Sequence, residues 1–161
     1  MVRLGLDRAS SVSAWLNFGG NQKNIWGSEF SQSKVIPMLR VLVVEDNPDN
    51  LDLLRLVLER GGYEVLMAAT GEEGVAAALA EKPLFILMDI DLPGIDGIEA
   101  TRRIRASEVG DSVPIVAITS YAMRGDMEKI LTAGCNGYFE KPIDPLTILG
   151  DIHTLLGRTR S

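Results

Sequence analysis

Glu45, Asp46, Asp89, Thr119 and Lys141 are the residues of this 161-residue chain whose types could do chemistry together. Each closes or directly follows a short apolar run: LRVLVV before Glu45-Asp46, LFILM before Asp89, PIVAI before Thr119, GYF shortly before Lys141. Three carboxylates, a hydroxyl and an amine suit phosphoryl transfer onto a carboxylate. Asp89 would be the nucleophile, since an aspartate can form an acyl phosphate. Glu45 and Asp46, with Asp89, would hold Mg²⁺, which takes hard oxygen ligands and keeps several waters; Mn²⁺ would accept the same ligands. The metal would cancel repulsion between the attacking carboxylate and the incoming phosphoryl oxygens. Lys141 would pair with those oxygens and Thr119 would donate a hydrogen bond to one of them. Three acids gathered without a cation would repel one another, so the same residues predict metal binding before any phosphate arrives.

Such a set is useful only if the fold brings it to one place. The valine-rich run 39–44 reads as a strand buried on both faces. Asn47 followed by Pro48 reads as a helix start, and Leu51, Leu54, Val57 and Leu58 keep helical spacing until Gly61-Gly62. Residues 63–68 give a second strand. Thr70 with Glu73 forms a capping box for a helix to about Ala80. Residues 84–89 give the third strand; Asp96 with Glu99 caps a third helix carried by Ile98, Ala100 and Ile104. Residues 114–119 form the fourth strand, Tyr121 to Ala133 the fourth helix closed by Gly134, and 137–139 the fifth strand. Pro145 opens a last helix carried by Leu146, Leu149, Ile152 and Leu156.

Five strand–helix alternations joined by short links predict an α/β fold, a three-layer doubly wound sandwich around a five-stranded parallel sheet. In such sheets ligands bind beyond the carboxyl ends of the strands, near the switch in strand order. Those are the ends at which the carboxylates, the hydroxyl and the amine fall. Taken singly, an Asp after a strand is a helix cap and a Lys before Pro is a surface residue. Four strand ends supplying compatible groups on one edge make the functional reading.

Composition sets the limits. The net charge is −6, but residues 1–37 hold Arg3, Arg8, Lys23 and Lys34 against Asp7 and Glu29, a local +2 that leaves −8 on the remainder. An acidic domain argues against direct nucleic-acid binding, which runs on clustered Lys and Arg. No apolar run approaches the roughly 18 residues of a membrane span, and no secretory leader pattern opens the chain. One cysteine, Cys135, cannot form an internal disulfide, in keeping with a cytoplasmic location and a buried structural role. Residues 1–37 show no sustained periodicity; they read as a flexible extension or one derived from the gene model or expression design, with Trp15, Phe18, Trp26 and Phe30 leaving a docking role open. Residues 38–157 form the domain, with a tail over 158–161. His153, on the last helix away from the strand ends, is read as a surface or partly packed residue.

The blocks VLVVEDNPDN, ILMDIDLPGIDG, IVAITSYAM and GYFEKPI resemble, in order and spacing, the signature blocks of response-regulator receiver domains over about residues 39–157. The resemblance implies the flavodoxin-like strand order 2-1-3-4-5, an acidic pair at Glu45 and Asp46, and phosphorylation at Asp89. It implies a switch pair of Thr119 and Tyr138, a phosphate-binding Lys141 and a cis Lys141–Pro142 bond. It adds a metal ligand from the main-chain carbonyl of Asp91. Ser120 stands beside the phosphate where Ala or Gly is commoner; Asp91 and Tyr121 occupy positions that tune the lifetime of the phosphoryl group.

Further expectations follow from that resemblance. The phosphodonor is a sensor histidine kinase or a histidine phosphotransfer protein, as in two-component systems and phosphorelays. Output runs through the face of the fourth helix, fifth strand and fifth helix, by protein contacts, since the chain stops soon after its last helix; the same face offers a homodimer. The protein is then no enzyme beyond self-phosphotransfer and autodephosphorylation. One alternative is a constitutive docking module of the same fold. Another is a phosphatase of haloacid-dehalogenase type, suggested by Asp89-Ile-Asp91, although that family carries its metal acids after the lysine.

Overall fold

A computed structural model describes residues 38–121 and 123–158. The predicted extension over residues 1–37 and the end of the tail, residues 159–161, lie outside the described residues. The elements run β1 (Leu39–Val44), α1 (Pro48–Arg60), β2 (Tyr63–Ala68), α2 (Gly71–Glu81), β3 (Ile86–Asp89), α3 (Gly97–Arg105), β4 (Ile115–Thr119), α4 (Arg124–Ala133), β5 (Gly137–Glu140) and α5 (Ile148–Arg158). The five strands are all parallel, in the order β2-β1-β3-β4-β5.

Alternation along the strands builds two cores. Leu42, Val44, Ile86, Met88, Ile115 and Ala117 point to one face and pack with Ala78, Ala100, Ile104 and Ile130 of α2, α3 and α4. Val41, Val43, Leu87, Val116 and Ile118 point to the other and pack with Leu54 and Leu58 of α1 and Ile148 and Ile152 of α5. A central strand buried on both faces has no polar side to show, which is why β1, β3 and β4 read as unbroken apolar runs.

Local chemistry sets the helix starts. The Asn47 side chain accepts from the backbone N–H groups of Asp49 and Asn50, with Pro48 in the first turn. Thr70 accepts from Glu73 N–H while the Glu73 carboxylate reaches back to Ala69 N–H at 2.9 Å. Asp96 accepts from Glu99 N–H at 2.8 Å. These caps satisfy donors that no helix can satisfy internally.

Several boundaries differ from the sequence reading, and four of them have a visible local cause. The third strand begins at Ile86 rather than Leu84, because its ladder to β4 can start only where Pro114 offers a carbonyl, to Ile86 N–H at 2.9 Å. Helix α2 runs to Glu81 and stops in a left-handed Lys82 (φ 47°), a terminator with no glycine to announce it. Helix α4 starts at Arg124 rather than Tyr121, because Thr119 holds the backbone of Tyr121 in a turn. Regular α5 starts at Ile148, after a turn in which the Asp144 carboxylate accepts from Leu146 N–H. Leu146 is therefore not part of the apolar face predicted for it: it is 91% exposed, and Ile148 and Ile152 do the packing. His153 is exposed on α5 and meets the Tyr63 hydroxyl at 2.8 Å.

Candidate functional site

The crevice between β1 and β3, where the strand order reverses, receives Glu45 just past β1 and Asp89 at the end of β3. Both are buried, each 1% exposed. Asn47 N–H donates to Glu45 Oε1 at 3.0 Å, so the turn that starts α1 also orients this carboxylate. Asp91 N–H donates to Asp89 Oδ1 at 3.0 Å, and Lys141 Nζ donates to Asp89 Oδ2 at 2.9 Å. Lys141 Nζ also lies 2.9 Å from Glu45 Oε2, an ion pair without hydrogen-bond alignment. That oxygen is buried and has no hydrogen-bond partner. Asp46 is exposed at the mouth, and one carboxylate oxygen each from Glu45, Asp46 and Asp89 lie within 4.8 Å of one another.

The electrostatics reflect this crowding. Burial, with the Asp89 charge adding to it, raises the pKa of Glu45 against the opposing pull of Lys141 and Asn47 N–H. For Lys141, burial pulls the pKa down, but the contacts with Glu45 and Asp89 outweigh it and the net shift is upward. One ammonium among three acids cannot neutralise them. The donor set is all oxygen, with three carboxylates converging around a single ammonium, so the residues fit a small hard cation such as Mg²⁺.

Lys141 N–H bonds the carbonyl of Thr119 at 2.9 Å, and the Lys141–Pro142 peptide is cis. Beside Lys141 and Glu45 opens a pocket of about 350 Å³, walled by Asn50, Leu53 and Leu54 of α1 and by Pro142 and Ile143.

Not every candidate residue meets Asp89. The buried Thr119 hydroxyl donates to the Tyr121 carbonyl at 3.0 Å and accepts from Tyr121 N–H at 3.1 Å. Ser120 and Tyr121 are exposed, as is Asp91, whose backbone rather than side chain touches Asp89. Tyr138 is half-buried and its hydroxyl donates to Met127 Sδ of α4 at 2.7 Å.

The sequence family described as the response regulator receiver domain matches residues 41–153. The chain belongs to the response-regulator receiver family. Among its relatives is the polar-differentiation response regulator DivK of Brucella ovis, 38% identical over 117 residues, which are 73% of this chain and 95% of DivK. Among solved structures, the receiver domain of a sensor histidine kinase from Pseudomonas aeruginosa is 40% identical with a TM-score of 0.68, over 74% of this chain and 98% of that one. That crystal structure has a magnesium ion coordinated in its active-site cleft. A CheY-like receiver from Methanospirillum hungatei is 31% identical with a TM-score of 0.69, over 76% of this chain and 98% of its own. The five-stranded 2-1-3-4-5 architecture is the one these neighbours share. No helix among the described residues is long and apolar enough to cross a membrane.

Two contributors to this receiver site escaped the sequence reading. The backbone of Asn47, read only as a cap, orients Glu45. Gly97, the first residue of α3, packs so closely on the end of β3 that a Cβ there would collide with the Asp89 carbonyl. A glycine directly after the cap Asp96, where a good helix former is expected, was the available signal.

Proposed function

We propose that this receiver accepts a phosphoryl group on Asp89 from a phosphohistidine of a sensor kinase or phosphotransfer protein, and signals by protein contacts. The observation that carries the proposal is Lys141 Nζ at 2.9 Å from both Asp89 Oδ2 and Glu45 Oε2, with three carboxylates converging at the switch point of the sheet. In the transfer, an Asp89 oxygen forms the new bond to phosphorus while the bond from phosphorus to the donor imidazole nitrogen breaks, and that nitrogen keeps the electron pair. Mg²⁺ held by Glu45, Asp46, Asp89 and the Asp91 carbonyl, or Mn²⁺ in its place, would supply the positive charge that lets two anions meet. Lys141 would move from the carboxylate to a phosphoryl oxygen, keeping its charge paired throughout. The pocket wall of Leu53, Leu54, Pro142 and Ile143 offers a donor protein an apolar footing next to the site.

Output follows from what the phosphoryl group can draw in. The Thr119 hydroxyl must leave Tyr121 to reach it, and Tyr138, tied to Met127 of α4, is the aromatic able to follow. Rearrangement would then be read on the face of α4, β5 and α5, by a downstream protein or a second copy. Asp91, Ser120 and Tyr121, all exposed, would set how long the phosphoryl group survives attack by water. The chemistry is self-modification and its reversal.

The test is intact mass after incubation with acetyl phosphate and Mg²⁺, beside Asp89→Asn. One phosphoryl adduct, absent in the variant and without Mg²⁺, is expected. An adduct of equal yield in Asp89→Asn would overturn the assignment, and steady phosphate release from varied monoesters would point to a phosphatase.

A further inference from the structure

Asp89 receives a hydrogen bond from Asp91 N–H, so the loop from Ile90 to Asp96 must be held in place for the site to keep its shape. Its base is secured by Ile90 N–H on the Ile118 carbonyl at 2.9 Å and by Gly97 N–H on the Ile90 carbonyl at 3.0 Å. Leu92 is anchored in the core. Beyond Leu92 the loop passes through Pro93 and Gly94 to Ile95, whose side chain packs against the core and whose backbone N–H turns to α2. Ile95 N–H donates to Glu72 Oε1 at 3.3 Å. Two glycines make that approach possible. Gly94 has φ +74°, and a Cβ on it would lie 3.0 Å from Glu72 Oε1. A Cβ on Gly71 would meet the Ile95 side chain at 2.6 Å and its carbonyl at 2.7 Å. Of two adjacent glutamates in the first turn of α2, Glu73 serves the helix's own start at Ala69, while Glu72 serves a loop 23 residues further along the chain.

We propose that Glu72 is a positioning residue for the phospho-acceptor site: its carboxylate clamps Ile95 N–H and thereby holds the loop that presents the Asp91 main chain to Asp89. This inference rests on the assignment of Asp89 as the acceptor. A carboxylate accepting a backbone N–H makes a charge-assisted bond, stronger than a neutral side chain would offer. Partners that orient a site without touching the reacting atoms shape it through the geometry of the groups that do. Here the group is the Asp91 backbone, whose N–H already serves Asp89 and whose carbonyl would serve the cation.

The experiment compares Glu72→Ala, Glu72→Gln and wild type in the full chain. In metal-free protein, amide exchange at Ile95 and at Asp91 should speed up in Glu72→Ala, with α1 and α5 amides unchanged. Calorimetric Mg²⁺ affinity and the acetyl phosphate rate should both fall at least about threefold, short of the roughly 10–100-fold seen when partners of direct metal ligands are removed. Glu72→Gln, which keeps an acceptor oxygen but loses the charge, should recover part of the loss. Unchanged Asp91 exchange and unchanged Mg²⁺ affinity in Glu72→Ala, with or without a lower melting temperature, would reduce Glu72 to a structural contact and overturn the proposal. If instead wild type itself forms no Asp89 adduct, the acceptor assignment fails, while the exchange result still reports on the clamp.

Discussion

Two cation-centred clusters among the described residues, at opposite ends of the sheet, differ in kind. Around Arg105, past the amino-terminal ends of β4 and β5, the hydrogen bonds all go to neutral oxygens. Its guanidinium bonds the carbonyls of Gly134 at 2.8 Å, Val113 at 2.7 Å and Gly110, and Asn136 Oδ1 at 2.9 Å. Asn136 Oδ1 in turn accepts from Ile115 N–H at 2.8 Å. This hub staples the end of α3 to the loops before β4 and β5, and it leaves nothing for a ligand to satisfy. Around Lys141, at the carboxyl ends, one ammonium faces more carboxylate than it can neutralise, and a buried Glu45 oxygen has no hydrogen-bond partner. A satisfied cluster is structure. An overcharged one, tolerated in the interior, fits the cation proposed for it.

Substitution at the two cations should separate the clusters most sharply. Lys141→Met should slow acetyl phosphate labelling of Asp89 on the order of 10²-fold, as when a donor to a developing anion is lost. Arg105→Met, which keeps the packing of the stem, should cost about 2–3 kcal/mol of unfolding free energy by stranding carbonyls, with the labelling rate per folded molecule unchanged. Denaturant titration and mass spectrometry on the same samples decide it. A large rate loss in Arg105→Met would erase the distinction.

A smaller effect with a crossing sign comes from the rim. Asp46→Asn should raise the melting temperature in EDTA by relieving repulsion with Glu45 and Asp89, and lower it relative to wild type in saturating Mg²⁺ by weakening the bound state. Parallel shifts in both buffers would mean that Asp46 does not share a cation with the other two. The smallest effect is in pH. Because the pKa of Glu45 is raised in the fold, the folded state keeps a proton that the unfolded state gives up, so stability is lost as pH rises from below the ordinary glutamate value of 4.5 through the raised one. In EDTA, the stability difference between Glu45→Gln and wild type should therefore grow in favour of the variant between about pH 4 and pH 7. Thermal melts showing no change in that difference would contradict the assigned burial cost.

What was legible in the sequence was local. Apolar runs of strand length, caps such as Asn47, Thr70 and Asp96, and terminators such as Gly134 act over one to four residues. They predicted five alternations and therefore which edge of the sheet Glu45, Asp46, Asp89, Thr119 and Lys141 would share. Errors arose where two elements negotiate a boundary. Arg124 rather than Tyr121 opens α4 because the Thr119 side chain captures the following turn, and Leu146 falls outside the helix it was expected to serve.

Tertiary structure alone decided which groups meet. That Lys141 divides itself between Asp89 and Glu45, that the Thr119 hydroxyl is held by Tyr121, and that Glu72 reaches the loop beyond Asp91 are contacts between residues brought together by strand order, not by spacing along the chain. Arg105 shows the same limit, since nothing in its neighbours distinguishes it from the exposed Arg102 and Arg103. Periodicity tells which way a side chain faces. Whether a facing group is satisfied or left wanting depends on distances of about 3 Å between segments dozens of residues apart, and only packing sets those.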